Sequence, residues 1–213
     1  MKAFIFDMDG VLIDTEPVHH AAEKEVFAHY GILTDDVELA TYAGTTHGWL
    51  FEDISRKRGV EVPLPEAVAR KDQLFFAAME RADLQPIPGI PQLLRRLRAL
   101  GVKMAIASSS SDAFIASVVD RLQIRSYFDV LVSGENLPKS KPDPAIYTLT
   151  ARRLGVRPRD CVVLEDAAQG VQAAKGAGMY CIGFDSPDSY GGQDLSLADR
   201  IVQFIDEIDV ENL

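Results

Sequence analysis

Apolar and polar positions follow two different rhythms along this chain. The opening run "FIF" at residues 4–6 reads as a first, fully buried strand, and Asp7 and Asp9 follow it, one residue apart, against Gly10. The pattern then turns helical. "DTEPVHHAAEKEVFAHYG" opens on Asp14 and Thr15 as N-cap candidates, carries Pro17 where a first turn tolerates it, and stops at Gly31. Three more helical stretches are predicted at about 35–43, 47–58 and 65–82, with no strand between them. "LQPIPGI", with two prolines and Gly89, reads as a linker.

Beyond the linker, helices and strands alternate. The predicted strands are "KMAIAS", "FDVLVS", "CVVLED", "MYCIGF" and a short "RIVQF", each preceded or followed by a helical stretch. Strands alternating with helices of about 10–15 residues imply βαβ units and a doubly wound parallel sheet, an α/β fold. The expected organisation is an α/β core from residues 1–14 and 86–213, interrupted after its first strand by a helical insert at 15–85. "SPDSYGGQDLS" at 186–196 is expected to be a surface connection.

Composition narrows the function classes. The chain has 213 residues, 47% hydrophobic and 25% charged, with a net charge of −10 and no basic run. Its densest basic stretch, "LLRRLRAL", fits the wet side of an amphipathic helix, so nucleic-acid binding, which needs a basic footprint, is not expected. No apolar stretch approaches the ~18 residues of a membrane span, and the N-terminus carries no signal pattern. Cys161 and Cys181 lie inside apolar strands and read as buried free thiols. A cytoplasmic protein is the default expectation, and no exposed apolar stripe argues against a monomer.

In such a sheet, ligands gather beyond the carboxyl ends of the strands. The residues predicted at those ends are Asp7, Asp9, Ser108, Lys141, Glu165 and Asp166. Asp7, Asp9, Glu165 and Asp166 would crowd negative charge, which a hard divalent cation with oxygen ligands, Mg²⁺, would relieve. Lys141 sits in "KSKPDP", where Pro142 enforces an extended approach, and Ser108 and Ser109 open "SSSSD", a loop suited to an anion. Each residue alone has a plainer reading, as a helix cap or a surface lysine. Together they describe phosphoryl transfer: Asp7 attacks phosphorus, Asp9 handles the proton, and Mg²⁺, Lys141 and Ser108 spread the charge.

The motifs "DMDGVLIDTEP", "IASSS", "KPDP" and "LEDAAQG", in that order, resemble the haloacid dehalogenase-like hydrolase superfamily. The branch they are most similar to holds the β-phosphoglucomutases and sugar-phosphate phosphatases. The resemblance implies a Rossmann-like core, Asp7 as nucleophile, Asp9 as acid/base, Ser108 and Lys141 as phosphate ligands, and Asp166 with Glu165 as metal acids. It adds the Asp9 carbonyl as a further metal ligand and makes the insert a movable cap. Asp9 itself favours phosphate esters over dehalogenation or phosphonate cleavage.

In the insert, the resemblance places His19 where the mutases carry a His linked to cap closure. "YAGTTHGWLFE" resembles the substrate-specificity loop, with His47 where the mutases carry a phosphate-gripping Arg. Lys71 is a further candidate contact, although its local sequence reads first as a solvated helical lysine. Trp49 and Phe51 are expected to pack within the insert. The implied activity is a Mg²⁺-dependent phosphatase of a small phosphorylated metabolite, such as a hexose phosphate. A phosphosugar mutase and a non-catalytic binding protein on the same scaffold are the alternatives.

Overall fold

In the computed structural model, described for residues 1–42, 46–187 and 193–213, the chain forms two compact units. One joins Met1–Asp14 to the chain from Leu84 onward, and the other includes Thr15–Asp83.

The first unit is built on six parallel strands: β1 (Ala3–Phe6), β2 (Lys103–Ser108), β3 (Val130–Ser133), β4 (Cys161–Glu165), β5 (Tyr180–Phe184) and β6 (Arg200–Val202). Their order across the sheet is β3-β2-β1-β4-β5-β6. Every residue of β1 and β4 is buried, as central parallel strands require, which is why they read as unbroken apolar runs. Ile5, Ala105, Val163 and Cys181 share one core cluster with Tyr147 and Val171. Helices Ile90–Ala99, Asp112–Arg121, Ala145–Leu154 and Ala168–Gly176 occupy the intervals between the strands. Both cysteines are free and buried, and burial pushes the Cys161 thiol up to about 11.

Register decides what the sheet presents. Phe6 lies opposite Ile106 on one side and Leu164 on the other, so β1 ends two residues before β2 and one before β4. The Asp7 N–H still donates to the Leu164 carbonyl at 3.0 Å, which carries the ladder one residue past the strand.

The second unit holds four helices, Glu16–His29, Asp36–Ala40, His47–Arg58 and Leu64–Arg81. Its own core includes Phe27, Leu39, Leu50, Phe51 and Ile54, with the Phe27 and Phe51 rings 4.9 Å apart. Thr46 caps the third helix by accepting the Trp49 N–H at 3.3 Å. Phe51 packs as expected, while Trp49 rests its ring on Tyr42 and is half exposed. Residues 43–45 of the "YAGTTHGWLFE" loop and 188–192 of "SPDSYGGQDLS" lie outside the described residues. Among the described residues no helix is long and apolar enough to cross a membrane.

Candidate active site

The end of β1 turns sharply. Leu12 N–H donates to the Met8 carbonyl and Gly10 N–H to the Ile13 carbonyl, both at 2.8 Å, with Gly10 at φ +79°. This left-handed position suits glycine, and it keeps Asp7 and Asp9 together at the carboxyl end of the sheet.

Lys141 Nζ lies 2.6 Å from Asp7 Oδ1 and 2.5 Å from Glu165 Oε1. Glu165 is wholly buried, and both its oxygens are engaged. Oε1 accepts from Lys141 and from the Tyr147 hydroxyl at 2.8 Å, and Oε2 accepts from the Ala167 N–H at 3.0 Å. Asp7, Glu165 and Asp166 each bring a carboxylate oxygen within 4.8 Å of the others.

The electrostatics follow from that crowding. Burial pushes the Asp7 carboxyl up to about 7; Lys141 opposes the shift, and Glu165 and Asp9 add to it. Asp166 is raised well above the usual carboxylate range by burial, then by Glu165 and Asp7. Burial acts to lower Lys141, but Asp7 and Glu165 together hold it above the usual ammonium range. These carboxylates would be more stable with a further cation among them.

The serine loop reaches the same edge. Ser108 is buried at the end of β2, and its Oγ accepts the Ser110 N–H at 3.1 Å. Ser110 Oγ in turn donates to Asp9 Oδ2 at 3.0 Å, and Ser133 Oγ donates to the Ser110 carbonyl at 2.7 Å. Ser109 is exposed, and Ser111 caps the following helix through the Phe114 N–H. Ser110 is the serine that touches Asp9, and the sequence reading missed it. Nothing in four consecutive serines distinguishes them until the strand end is fixed.

The remaining candidates gather in the helical unit. His47 Nε2 lies 2.8 Å from Lys71 Nζ, and His47 Nδ1 lies 3.2 Å from Glu23 Oε1. His47 thus stands between a cationic and an acidic side chain, one at each ring nitrogen. Glu23 is a member of this cluster that the sequence reading did not single out. Lys71 is 1% exposed, which corrects the solvated-lysine expectation. Burial lowers its ammonium pKa, while Asp72 and Glu23 resist the shift.

His19 stacks on Phe75 at 4.1 Å and lies 5.4 Å from the His47 ring. Burial first, then Lys71, His47 and His20, push His19 down to about 2, so it is neutral. His19, Glu23 and His47 bring ligating atoms within 4.8 Å of one another. Against a metal there, the two imidazole rings are stacked, with planes inclined by 27°, and Lys71 Nζ already lies against His47 Nε2.

Comparison with known proteins fits the geometry of the sheet edge. The model of the haloacid dehalogenase-like hydrolase family matches residues 1–178. The chain belongs to this family. It is therefore a hydrolase of a group that generally uses a divalent metal, in keeping with the Asp7–Glu165–Asp166 cluster. The fructose-1-phosphate phosphatase YqaB of Escherichia coli K12 is 34% identical over 178 residues, covering 84% of this chain and 93% of that protein. The β-phosphoglucomutase of Bacillus subtilis is 34% identical over 221 residues, covering 100% and 94%. Among solved structures, CbbY from Rhodobacter sphaeroides in complex with phosphate superposes with a TM-score of 0.80 at 31% identity, covering 97% of this chain and 96% of that one.

Proposed function

We propose that this hydrolase is a Mg²⁺-dependent phosphatase of small sugar phosphates that works through an aspartyl-phosphate. The observation that carries the reading is the Lys141–Asp7 contact at 2.6 Å, with Asp9 held beside it by Ser110. A nucleophilic carboxylate, a fixed cation against it and a second acid two residues on are what phosphoryl transfer needs.

Asp7 attacks the phosphorus as the bond to the sugar oxygen breaks, and Asp9 delivers a proton to that departing oxygen. Asp9 then takes a proton from water as the water attacks the aspartyl-phosphate, releasing orthophosphate and restoring Asp7. Lys141 and the Ser108–Ser110 loop hold the phosphoryl oxygens through both steps. Asp7, Asp166 and the Asp9 carbonyl, with Glu165 beside them, would hold Mg²⁺, which neutralises charge on the phosphoryl group when bound. The donor set fits that ion. It is all oxygen, and a Cβ at Gly10 would fall 1.9 Å from Asp166 Oδ2, so the turn leaves Asp166 its room.

We read the helical unit as the part that selects the substrate, through His19, His47 and Lys71. The YqaB likeness supports a sugar phosphate, as does hexitol phosphatase B of E. coli K12, 30% identical over 212 residues. A phosphosugar mutase is the second reading, favoured by the full-length match to the B. subtilis β-phosphoglucomutase. His47, in place of the Arg of the mutase pattern, weighs against it, since an imidazole grips a second phosphate less firmly than a bidentate guanidinium.

Phosphate release across a panel of hexose, hexitol and nucleotide monophosphates, with Mg²⁺ or with chelator, tests the reading. β-Glucose 1-phosphate with a trace of glucose 1,6-bisphosphate runs beside it. Mg²⁺-dependent release from one or a few sugar phosphates is the expected result. Conversion to glucose 6-phosphate with little free phosphate overturns it in favour of the mutase.

A further inference from the structure

Tyr147 lies in the helix Ala145–Leu154, which starts four residues after Lys141. The connecting turn is stiff, because Asp143 Oδ1 accepts the Ala145 N–H at 3.0 Å. The Tyr147 ring is wholly buried in the core cluster that also holds Ile5 and Val163, a setting in which phenylalanine would pack as well. Its hydroxyl therefore calls for an explanation, and it has a specific partner. It donates to Glu165 Oε1 at 2.8 Å, the same oxygen that accepts from Lys141. The Lys141 ammonium also lies 5.3 Å from the Tyr147 ring centre, so one side chain meets both members of the pair.

Glu165 has little freedom to answer a change in its partners. A Cβ at Gly170 would stand 1.7 Å from Glu165 Oε1, so the carboxylate fills the place that a side chain there would take. Oε2 is fixed by the Ala167 N–H. Among the described residues, the contacts that define where Oε1 points are Lys141 and Tyr147.

We propose that Tyr147 is a positioning residue: its hydroxyl shares the charge of Glu165, and so leaves the Lys141 ammonium aimed at Asp7. Without that bond, Glu165 Oε1 satisfies itself on Lys141 alone and draws the ammonium off the line to Asp7. The inference rests on the phosphatase reading for the roles of Asp7 and Lys141.

Steady-state kinetics on Tyr147→Phe test it, beside Glu165→Gln and the double variant. The ring and its packing are retained, so the thermal midpoint should stay close to wild type. The expected result is a kcat lower by about tenfold with KM changed by less than about threefold, the split of an interaction made in the transition state. Tyr147→Phe should add less than about twofold in the Glu165→Gln background, since its effect passes through Glu165. Unchanged kcat in Tyr147→Phe, or a full tenfold effect on top of Glu165→Gln, overturns the role.

Wild-type turnover separates the two ideas. No Mg²⁺-dependent phosphate release from wild type overturns the phosphatase reading. In that case orthovanadate binding, measured by calorimetry, reads the positioning role. Binding about tenfold weaker in Tyr147→Phe supports it, and equal binding removes it.

Discussion

The Cβ that Gly10 lacks would lie 1.9 Å from Oδ2 of Asp166, although the two residues are 156 positions apart in the chain. Gly10 meets two demands at once, a φ of +79° in the turn after β1 and clearance for the acid that follows β4. Gly10→Ala should therefore cost about 1 kcal/mol for the backbone alone, and more for displacing Asp166. Denaturant unfolding should show the stability loss, and turnover should fall at least ~10-fold as the two strand ends lose their fit.

Asp7→Asn removes the proposed nucleophile, and Asp9→Asn the group proposed to move the proton. Each should lower turnover by at least ~10²-fold. Circular dichroism should show both variants folded, and a phosphate analogue should still bind in Mg²⁺. Near-wild-type turnover in either variant would remove the assigned role.

His19 makes stability depend on pH in a direction that can be worked out. Its pKa falls from 6.5 to about 2 on folding, so between those values the unfolded chain holds a proton that the folded chain lacks. Stability must then decline as pH is lowered through 6.5, by up to about 1.4 kcal/mol per pH unit. His19→Phe keeps a ring against Phe75 and removes the proton. Urea unfolding at pH 7.5 and 5.5 should show wild type losing about 1 kcal/mol more than the variant over that interval. Equal losses would mean that His19 titrates normally in the fold.

Lys71→Met separates packing from substrate selection in the helical unit. The thioether fills the volume of the buried stem without the charge. If Lys71 reads the sugar, KM should rise about tenfold with kcat within about threefold of wild type. An unchanged KM with a higher thermal midpoint would mean a lysine that serves only its neighbours His47 and Glu23.

The sheet was legible because central parallel strands are buried on both faces, so "FIF", "MAIA" and "CVVL" stand out as apolar runs. Asp7, Asp9, Lys141, Glu165 and Asp166 followed from the strand ends alone. Lys71 was misread as wet because its immediate neighbours are Arg70 and Asp72. The wider spacing held the answer: Ala67, Lys71, Phe75 and Met79, four apart, form the buried stripe of their helix. Tyr147 and Ser110 were out of reach of such patterns. The Tyr147 hydroxyl matters through a carboxylate 18 positions away, and Ser110 through one 101 away.

The position of β1 also bears on how this enzyme would fail. β1 is bonded on both sides, to β2 and to β4, so its amides should exchange with deuterium only when the whole sheet opens. Asp7 inherits that protection. Lys141, by contrast, lies in a loop and reaches Asp7 through one long side chain, so a local opening that leaves the sheet intact is enough to part them. On warming, activity should disappear before the amides of Phe4–Phe6 begin to exchange, with Asp7 still in place and its counter-charge gone.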